Sequence, residues 1–304
     1  MLSKQQPDAA KRRDRLFSFS QIVLSVHIIR ANDVPERVGG VFVQEKSFAV
    51  IGGDGRQQAA AAALRAKGYQ VYDAEKISLA DYILLPMPLS AERAELTRLL
   101  KAAKKGAIAF AGRVSEEAAG VAREADVELI DYLKREELAV SNAIPTCEGA
   151  IEILLRERSV TLWHSRILIT GFGRISKLLA HKLLALGAYV TIAARKPGDR
   201  ALAEAMGYRA VDIAELAGEC VKADVVINTV PTRLITREMI DEMSKTAFLL
   251  DLASAPGGID LAAAGTAEVR AVWALSLPTR SAPVTAGQFV AQTVLQIIEE
   301  RGSI

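Results

Sequence analysis

Gly171-Phe172-Gly173-Arg174-Ile175-Ser176 joins an apolar run, Arg166 to Thr170, to an amphipathic stretch, Lys177 to Leu186. A strand, a glycine turn and a helix in that order form the usual cradle for the pyrophosphate of a dinucleotide. Gly171 permits the tight turn and Gly173 lets the backbone approach the phosphates. Arg174 and Ile175 follow at the start of a helix whose N-terminus favours negative charge. Ser176 is the small residue that stands for a third glycine, where helix and strand pack closely. A helix-packing turn without ligand would use the same residues. Such folds place an acid about 20 residues further on to hold the adenine ribose diol. Here that stretch reads Ala193-Ala194-Arg195-Lys196. Two cations and no carboxylate suit a ribose 2′-phosphate, so NADP is expected ahead of NAD. The plainer alternative is a pair of solvated surface charges.

Two further loops end strands on the same side: Asn228-Thr229-Val230-Pro231 and Asp251-Leu252-Ala253-Ser254. Their groups, Asn228, Thr229, Val230, Pro231, Asp251, Ala253 and Ser254, are candidates to orient the nicotinamide half, although Asn and Pro also end strands for purely local reasons. A second glycine turn, Gly52-Gly53-Asp54-Gly55-Arg56-Gln57, carries an acid that would repel a pyrophosphate. It suits a polar substrate instead, with Arg56 able to grip a carboxylate in a bidentate fork; a structural turn is the competing reading. Asn142-Ala143-Ile144-Pro145-Thr146-Cys147-Glu148-Gly149 offers Asn142, Thr146 and Glu148 to the same cleft, unless Thr146 and Glu148 only cap a helix. His27, His164 and His181 are the only histidines, and none sits in a catalytic pattern: His164 precedes a strand and His181 lies among leucines.

These motifs need a scaffold, and the patterning supplies it twice. Short strands at 48–51, 69–72, 82–85, 107–111 and 127–130 alternate with amphipathic stretches, and the grammar restarts with strands at 166–170, 189–193, 224–228, 247–252 and 269–273. The expected class is α/β, with two doubly wound parallel-sheet domains: a flavodoxin/Rossmann-like N-terminal domain, and an NADP-binding Rossmann domain across a cleft from it. The expected boundaries are an extension over 1–41, a substrate-side domain over 42–144, and a connector helix with the dinucleotide domain over 145–285. Pro145 is expected to open the connector, which runs to about Arg158. The last helix, within 286–304, is expected to return to the first domain.

Composition narrows the ligand class. Of 304 residues, 50% are hydrophobic and 24% charged, and 38 Lys+Arg against 36 Asp+Glu give a net charge of +2. That balance excludes a disordered chain and offers no basic surplus for nucleic acid or an anionic membrane. Residues 1–41 hold seven of the basic residues and four of the acidic ones, so the rest is close to neutral. The apolar stretch Phe17 to Ile29 is broken by serines and too short to span a bilayer. Two cysteines, Cys147 and Cys220, without a CxxC point away from a thiolate metal site and towards a reducing, cytoplasmic setting. No metal ligands are expected.

From about Phe48 to the C-terminus the chain resembles the A-subunit family of dipicolinate synthase from spore-forming bacteria. The resemblance rests on Ile51-Gly52-Gly53-Asp54 with Arg56-Gln57, Asn142-x-Ile144-Pro145-Thr146-x-Glu148-Gly149, and Gly171-x-Gly173-Arg174. It continues in Ile227-Asn228-Thr229-Val230-Pro231, Asp251-Leu252-Ala253-Ser254-x-Pro256-Gly257-Gly258, and Leu277-Pro278 with Ala282-Pro283-x-Thr285-Ala286-Gly287. It implies NADP-linked oxidation of a dihydrodipicolinate-type ring to dipicolinate and partnership with a flavoprotein-like B subunit; a homo-oligomer is expected besides. Loss of hydride and proton aromatises such a ring, which suits a chain poor in histidine. Arg56, Asn142 and Thr146 would then hold a small dicarboxylate, and Asp54 or Glu148 would take the proton.

The chain departs from that family where Ser90 leads almost directly into Ala91 to Lys105 without a longer polar segment, and where Thr279 replaces a glycine after Leu277-Pro278. A 2-hydroxyacid dehydrogenase is the nearest rival. Such enzymes use an arginine and a histidine in loops that here read Ala253-Ser254-Ala255-Pro256 and Ala282-Pro283-Val284-Thr285. From another class, the alternative is a non-catalytic NADP-binding sensor or partner subunit.

Overall fold

The computed structural model describes residues 46–89 and 92–302. The expected extension over 1–41, with its apolar stretch and His27, lies outside the described residues, as do Ser90 and Ala91 of the shortened segment. Five parallel strands, β1 (Ser47–Val50), β2 (Gln70–Tyr72), β3 (Tyr82–Leu84), β4 (Ile108–Ala111) and β5 (Glu128–Asp131), form a sheet in the order β2-β1-β3-β4-β5. Helices α1 (Gly55–Ala66), α2 (Arg93–Lys101) and α3 (Glu116–Glu124) connect them, and α4 (Glu136–Glu157) leads out. Six more parallel strands follow: β6 (Arg166–Thr170), β7 (Tyr189–Ala194), β8 (Arg209–Asp212), β9 (Val225–Asn228), β10 (Phe248–Asp251) and β11 (Arg270–Trp273), in the order β11-β10-β9-β6-β7-β8. The remaining helices are α5 (Arg174–Ala185), α6 (Pro197–Ala205), α7 (Leu216–Lys222), α8 (Arg237–Asp241), α9 (Leu261–Thr266), α10 (Leu277–Ser281) and α11 (Pro283–Glu300). The two orders are the flavodoxin-like and the dinucleotide-binding windings.

Both sheets are covered on both faces, which is why their strands read as continuous apolar runs. In β1, Phe48 packs beneath α1 and α11 while Ala49 turns to the core shared with α2 and α3. In β6, Ile167 and Ile169 enter one core and Leu168 the other. This is the two-residue alternation of a strand read from its buried faces. The alanine run of α1 keeps that helix thin enough for α11 to lie close against it, and Val290, Ala291, Val294 and Ile298 of α11 complete the core around Phe48 and Leu64. Gly287 sits where a Cβ would run into the carbonyl oxygen of Arg56.

The connector departs from expectation. α4 starts at Glu136, nine residues before Pro145, which is buried inside it. Glu136 and Glu137 sit in the first turn, where carboxylates favour the helix N-terminus, and the following stretch contains good helix formers. Proline costs one backbone hydrogen bond but does not end the helix, and the Ser281 hydroxyl donates to the Pro145 carbonyl at 3.0 Å from the neighbouring α10. By length and composition α4 could cross a membrane, yet it packs against α5, α10 and α11. β8, a short edge strand without an apolar run, is an element that the pattern did not reveal, and α5 begins within the glycine motif at Arg174.

The carboxyl ends of β6, β9 and β10 are fastened by buried polar groups. The Thr170 hydroxyl donates to Asn228 Oδ1 at 2.7 Å, and Asn228 Nδ2 donates to Asp251 Oδ1 at 2.7 Å and to the Val230 carbonyl at 3.0 Å. The Asp251 carboxylate also accepts from the backbone N–H groups of Ala253 (3.0 Å), Gly258 (2.7 Å) and Ile259 (3.1 Å). Thr170, Asn228 and Asp251 are at most 1% exposed. Asp251→Asn replaces an acceptor with a second donor among these N–H groups. We expect it to lower the unfolding free energy by about 1–3 kcal/mol, measured by denaturant or thermal melting, because a buried hydrogen bond becomes a mismatch.

Candidate functional site

Gly171 has φ +82°, and its N–H donates to the Ala193 carbonyl at 2.8 Å, tying the turn to the end of β7. A Cβ on Gly171 would lie 2.8 Å from Val230 Cγ2 and 3.1 Å from Thr229 Oγ1, so this glycine is demanded by the loop after β9. Gly173 is different: it is the N-cap of α5, no side chain caps that end, and a Cβ there would meet nothing within 4 Å. The uncapped helix N-terminus and the open space beside Gly173 fit the pyrophosphate of a nicotinamide dinucleotide. Ile175 contributes its side chain to the core, and the Arg174 side chain pairs with Glu136 at 2.6 Å, so the main-chain N–H groups of this turn are what it can offer a phosphate.

Ser176 and Thr229, by contrast, are engaged with each other. Their hydroxyls are 2.8 Å apart, and Thr229 Oγ1 donates to the Thr170 carbonyl at 2.7 Å. Ser176 is fully buried, in the role of the small packing residue.

Arg195 and Lys196 follow β7 directly, are exposed, and make no ion pair among the described residues. Beneath them lies a residue the sequence reading missed. Arg200 donates to the carbonyls of Ala194 and Arg195, both at 2.9 Å, and pairs with Asp212 at 2.6 Å. It thereby fixes the strand end that presents the two cations, and it also occupies the carboxylate at the end of β8. Only a helical arginine is visible in sequence, with nothing to mark that use.

Three of the expected cofactor contacts are engaged within the protein. Asn228 and Asp251 spend their side-chain groups on the buried network described above and so position the neighbouring loops. Ala253 is buried, with its N–H on Asp251 and its carbonyl accepting from Trp273 Nε1 at 2.9 Å. Pro231 and Ser254 are exposed and Val230 half-buried; Thr229 is half-buried too, but its hydroxyl is already engaged.

On the first sheet, Asp54 is the N-cap of α1. Its carboxylate accepts from the N–H groups of Arg56 (2.8 Å) and Gln57 (3.0 Å) and pairs with Arg56 Nη2 at 2.9 Å. Burial alone would raise its pKa, but the Arg56 guanidinium and the two N–H groups outweigh it and hold the carboxyl below its usual 3.8. Arg56 Nη2 also donates to the Met87 carbonyl. The Arg56 side chain is 12% exposed, and its buried Nε has no partner.

On α4, Thr146 Oγ1 donates back to the Asn142 carbonyl at 2.7 Å, and Asn142 Oδ1 is, among the described residues, the other buried polar side-chain atom without a partner. Asn142 and Thr146 are four residues apart and share a helix face. Glu148, six residues from Asn142, points elsewhere: it is exposed and pairs with Lys182 of α5 at 3.2 Å. The expectation that Glu148 joins Asn142 and Thr146 in one cleft therefore fails on helical geometry. Both described histidines are exposed, with the His164 ring stacked on Trp163 at 3.7 Å between centroids.

Residues 149–257 match the family of NAD-binding domains of D-isomer specific 2-hydroxyacid dehydrogenases. The A subunit of dipicolinate synthase of Bacillus subtilis (strain 168) is 31% identical over 193 residues, 64% of this chain and 65% of that protein. The aligned region thus spans slightly less than two thirds of the relative's length. Among solved structures, the A subunit of dipicolinate synthase from Bacillus halodurans superposes with a TM-score of 0.77 and 26% identity, covering 83% of this chain and 97% of that one. The A chain of dipicolinate synthase from Bacillus subtilis gives 0.74 and 26%, covering 84% and 96%. In sequence and in fold the chain is similar to the A subunit of dipicolinate synthase, and its second sheet has the dinucleotide-binding winding, over residues that match a family of NAD-binding domains.

Proposed function

We propose that this chain is an oxidoreductase subunit that oxidises a dihydrodipicolinate-type ring to dipicolinate with NADP, together with a second subunit. The observation that carries the reading is the pair of buried, unpartnered polar atoms, Arg56 Nε and Asn142 Oδ1, in the two motifs that precede a dinucleotide-binding domain. A buried donor and a buried acceptor left unpaired are costly unless a ligand completes them. A ring that bears carboxylates and a protonated nitrogen offers both kinds of complement. The assignment to the A-subunit role, with a B subunit for partner, comes from the relatives, and a cytoplasmic, homo-oligomeric state is part of the same proposal.

Gly171, Gly173, Arg174 and Ile175 would hold the pyrophosphate through the main chain. Arg195 and Lys196 would hold a 2′-phosphate, and Val230, Pro231 and Ser254 would border the nicotinamide half. When bound, the oxidised nicotinamide supplies the hydride acceptor. The chain's own residues have the remaining tasks of orientation and one proton transfer. Arg56 fixes a carboxylate, Asn142 and Thr146 fix the ring edge, and Asp54, beside Arg56, takes the ring proton in preference to the distant Glu148. A carboxylate with a depressed pKa is a weak base, but aromatisation of the ring supplies the driving force that a stronger base would otherwise provide. A 2-hydroxyacid dehydrogenase reading would need an arginine and a histidine in the 253–256 and 282–285 loops, and neither is there.

Three measurements test this reading. Replacing Arg195 with Asp should move the ratio of kcat/KM for NADP over NAD towards NAD by about tenfold or more, the cost of roughly one lost charged contact; an unchanged ratio would refute the 2′-phosphate assignment. With freshly generated dihydrodipicolinate, with and without the B subunit, NADPH formation followed by absorbance should fall about a hundredfold in Arg56→Ala and stay near wild type in His181→Ala. The reverse pattern would overturn the substrate site. The third measurement is the pH profile. Asp54 must be ionised to act and its pKa is lowered, so activity is fully present above the ordinary carboxylate range and lost only below it. kcat/KM should therefore stay flat between about pH 8 and about pH 5, and an acid limb centred near neutrality would assign the proton to a different group.

A further inference from the structure

Among the described residues, five non-glycine residues have left-handed backbones: Arg113, Asp126, His164, Glu268 and Ser276. Asp126, His164 and Glu268 each turn the chain into the start of a strand, at the end of the sheets remote from the carboxyl edges. Arg113 is unlike them. It follows β4 by two residues, on the same carboxyl edge of the first sheet as Arg56, with φ +61°. A side chain of this size is disfavoured there, and such a conformation persists only where its surroundings impose it. They do: the Asp131 carboxylate at the end of β5 accepts from the N–H groups of Arg113 (3.2 Å) and Val114 (3.1 Å) as well as from Leu133 (2.9 Å).

The same segment is locked to the loop that Arg56 holds. Gly112 is so close to Met87 that a Cβ would lie 2.6 Å from Met87 Cγ, and Leu89 N–H donates to the Gly112 carbonyl at 2.9 Å. Met87 is the residue whose carbonyl accepts from Arg56. Arg56 and Arg113 thus flank one short loop, at the ends of β1 and β4 with β3 between them. Their guanidinium groups differ in one respect. Arg56 Nη2 is spent on Asp54 and Met87, whereas the exposed Arg113 has no ion pair or side-chain hydrogen bond among the described residues. Arg135, the next arginine along this edge, is taken by Glu137 and Glu300.

We infer that Arg113 is the second anion anchor of the substrate site, taking the far carboxylate of a ring dicarboxylate whose near carboxylate lies on Arg56, and so selecting dicarboxylates over monocarboxylates. The inference rests on the substrate reading given above. The strained backbone is consistent with this role, since it fixes where the long side chain leaves the sheet edge, and a planar fork held at its base suits a rigid planar ligand.

The test compares pyridine-2,6-dicarboxylate with pyridine-2-carboxylate by calorimetric titration of the full chain in the presence of NADP. Wild type should bind the dicarboxylate at least about tenfold more tightly, the worth of one charged contact. Arg113→Gln should lose that preference while keeping its affinity for the monocarboxylate and for NADP. Arg113→Gly serves as the folding control, because glycine accepts a positive φ: it should melt no lower than wild type and show the same loss of preference. A preference retained in both variants would overturn the role of Arg113 and leave the ring-dicarboxylate reading standing. A wild type that does not distinguish the two ligands would overturn that reading and this inference together. An equal weakening of both ligands in Arg113→Gly, with an unchanged melting temperature, would also overturn the proposed selectivity.

Discussion

A carboxylate with no cation beside it sits at the centre of the second domain. Removing an ion from water costs several kcal/mol even after relaxation, so a buried Asp251 is tolerable only if its oxygens are saturated by donors. Four N–H groups do this, and each belongs to a segment that must arrive in the right place: the Asn228 amide at the end of β9, Ala253 just beyond β10, and Gly258 and Ile259 on the far side of the same loop. Because the charge needs all of them, the two loops are held as one piece. Thr170 extends the constraint to β6 through Asn228, and Thr229 extends it to the glycine turn through Ser176. The carboxyl edge beside the glycine turn is therefore arranged from below, by buried groups engaged with one another.

That arrangement explains which parts of the site were legible. Strand, glycine turn and helix are local, and the sequence between Arg166 and Leu186 announced them. The exposed cations after β7 were equally plain, because nothing else is asked of Arg195 and Lys196. Polar residues that end strands are ambiguous by nature. Asn228 and Asp251 look the same in sequence whether they point at a cofactor or at each other, and only the pairing of β9 with β10 decides it. Glu148 failed for a related reason. Proximity to Asn142 along the chain suggested a shared cleft, but α4 extends through Pro145 and its periodicity turns Glu148 towards Lys182. Arg200 and the left-handed Arg113 were invisible, since their roles depend on backbone positions that carry no residue signature.

The two sheets divide the chemistry unequally. On the second sheet the buried polar side chains near the glycine turn are, among the described residues, satisfied within the protein, which leaves main-chain donors and exposed cations facing solvent. On the first sheet and α4, two buried atoms remain unsatisfied, and the ion pair of Asp54 with Arg56 is built into the N-terminus of α1. Helix α11 enforces this placement, because its close approach at Gly287 abuts the Arg56 carbonyl and seats the first turn of α1.

With Asp54 as the proposed base, a carboxyl held below its normal pKa beside a set of fixed hydrogen-bonding groups would make a poor site for removing a reluctant proton. It makes a reasonable one where the substrate gains aromaticity on losing it. An enzyme that must abstract a proton near neutral pH needs a group whose pKa lies close to that pH, and burial or like charges would have to lift a carboxylate there. At Asp54 the guanidinium does the reverse. The same contact that lowers its pKa also holds Arg56 in place, so that under the proposed reading orientation of the substrate is strengthened at the expense of basicity. A substrate whose oxidation is driven by its own ring tolerates that exchange, and an ordinary hydroxyacid, with no such driving force, would not.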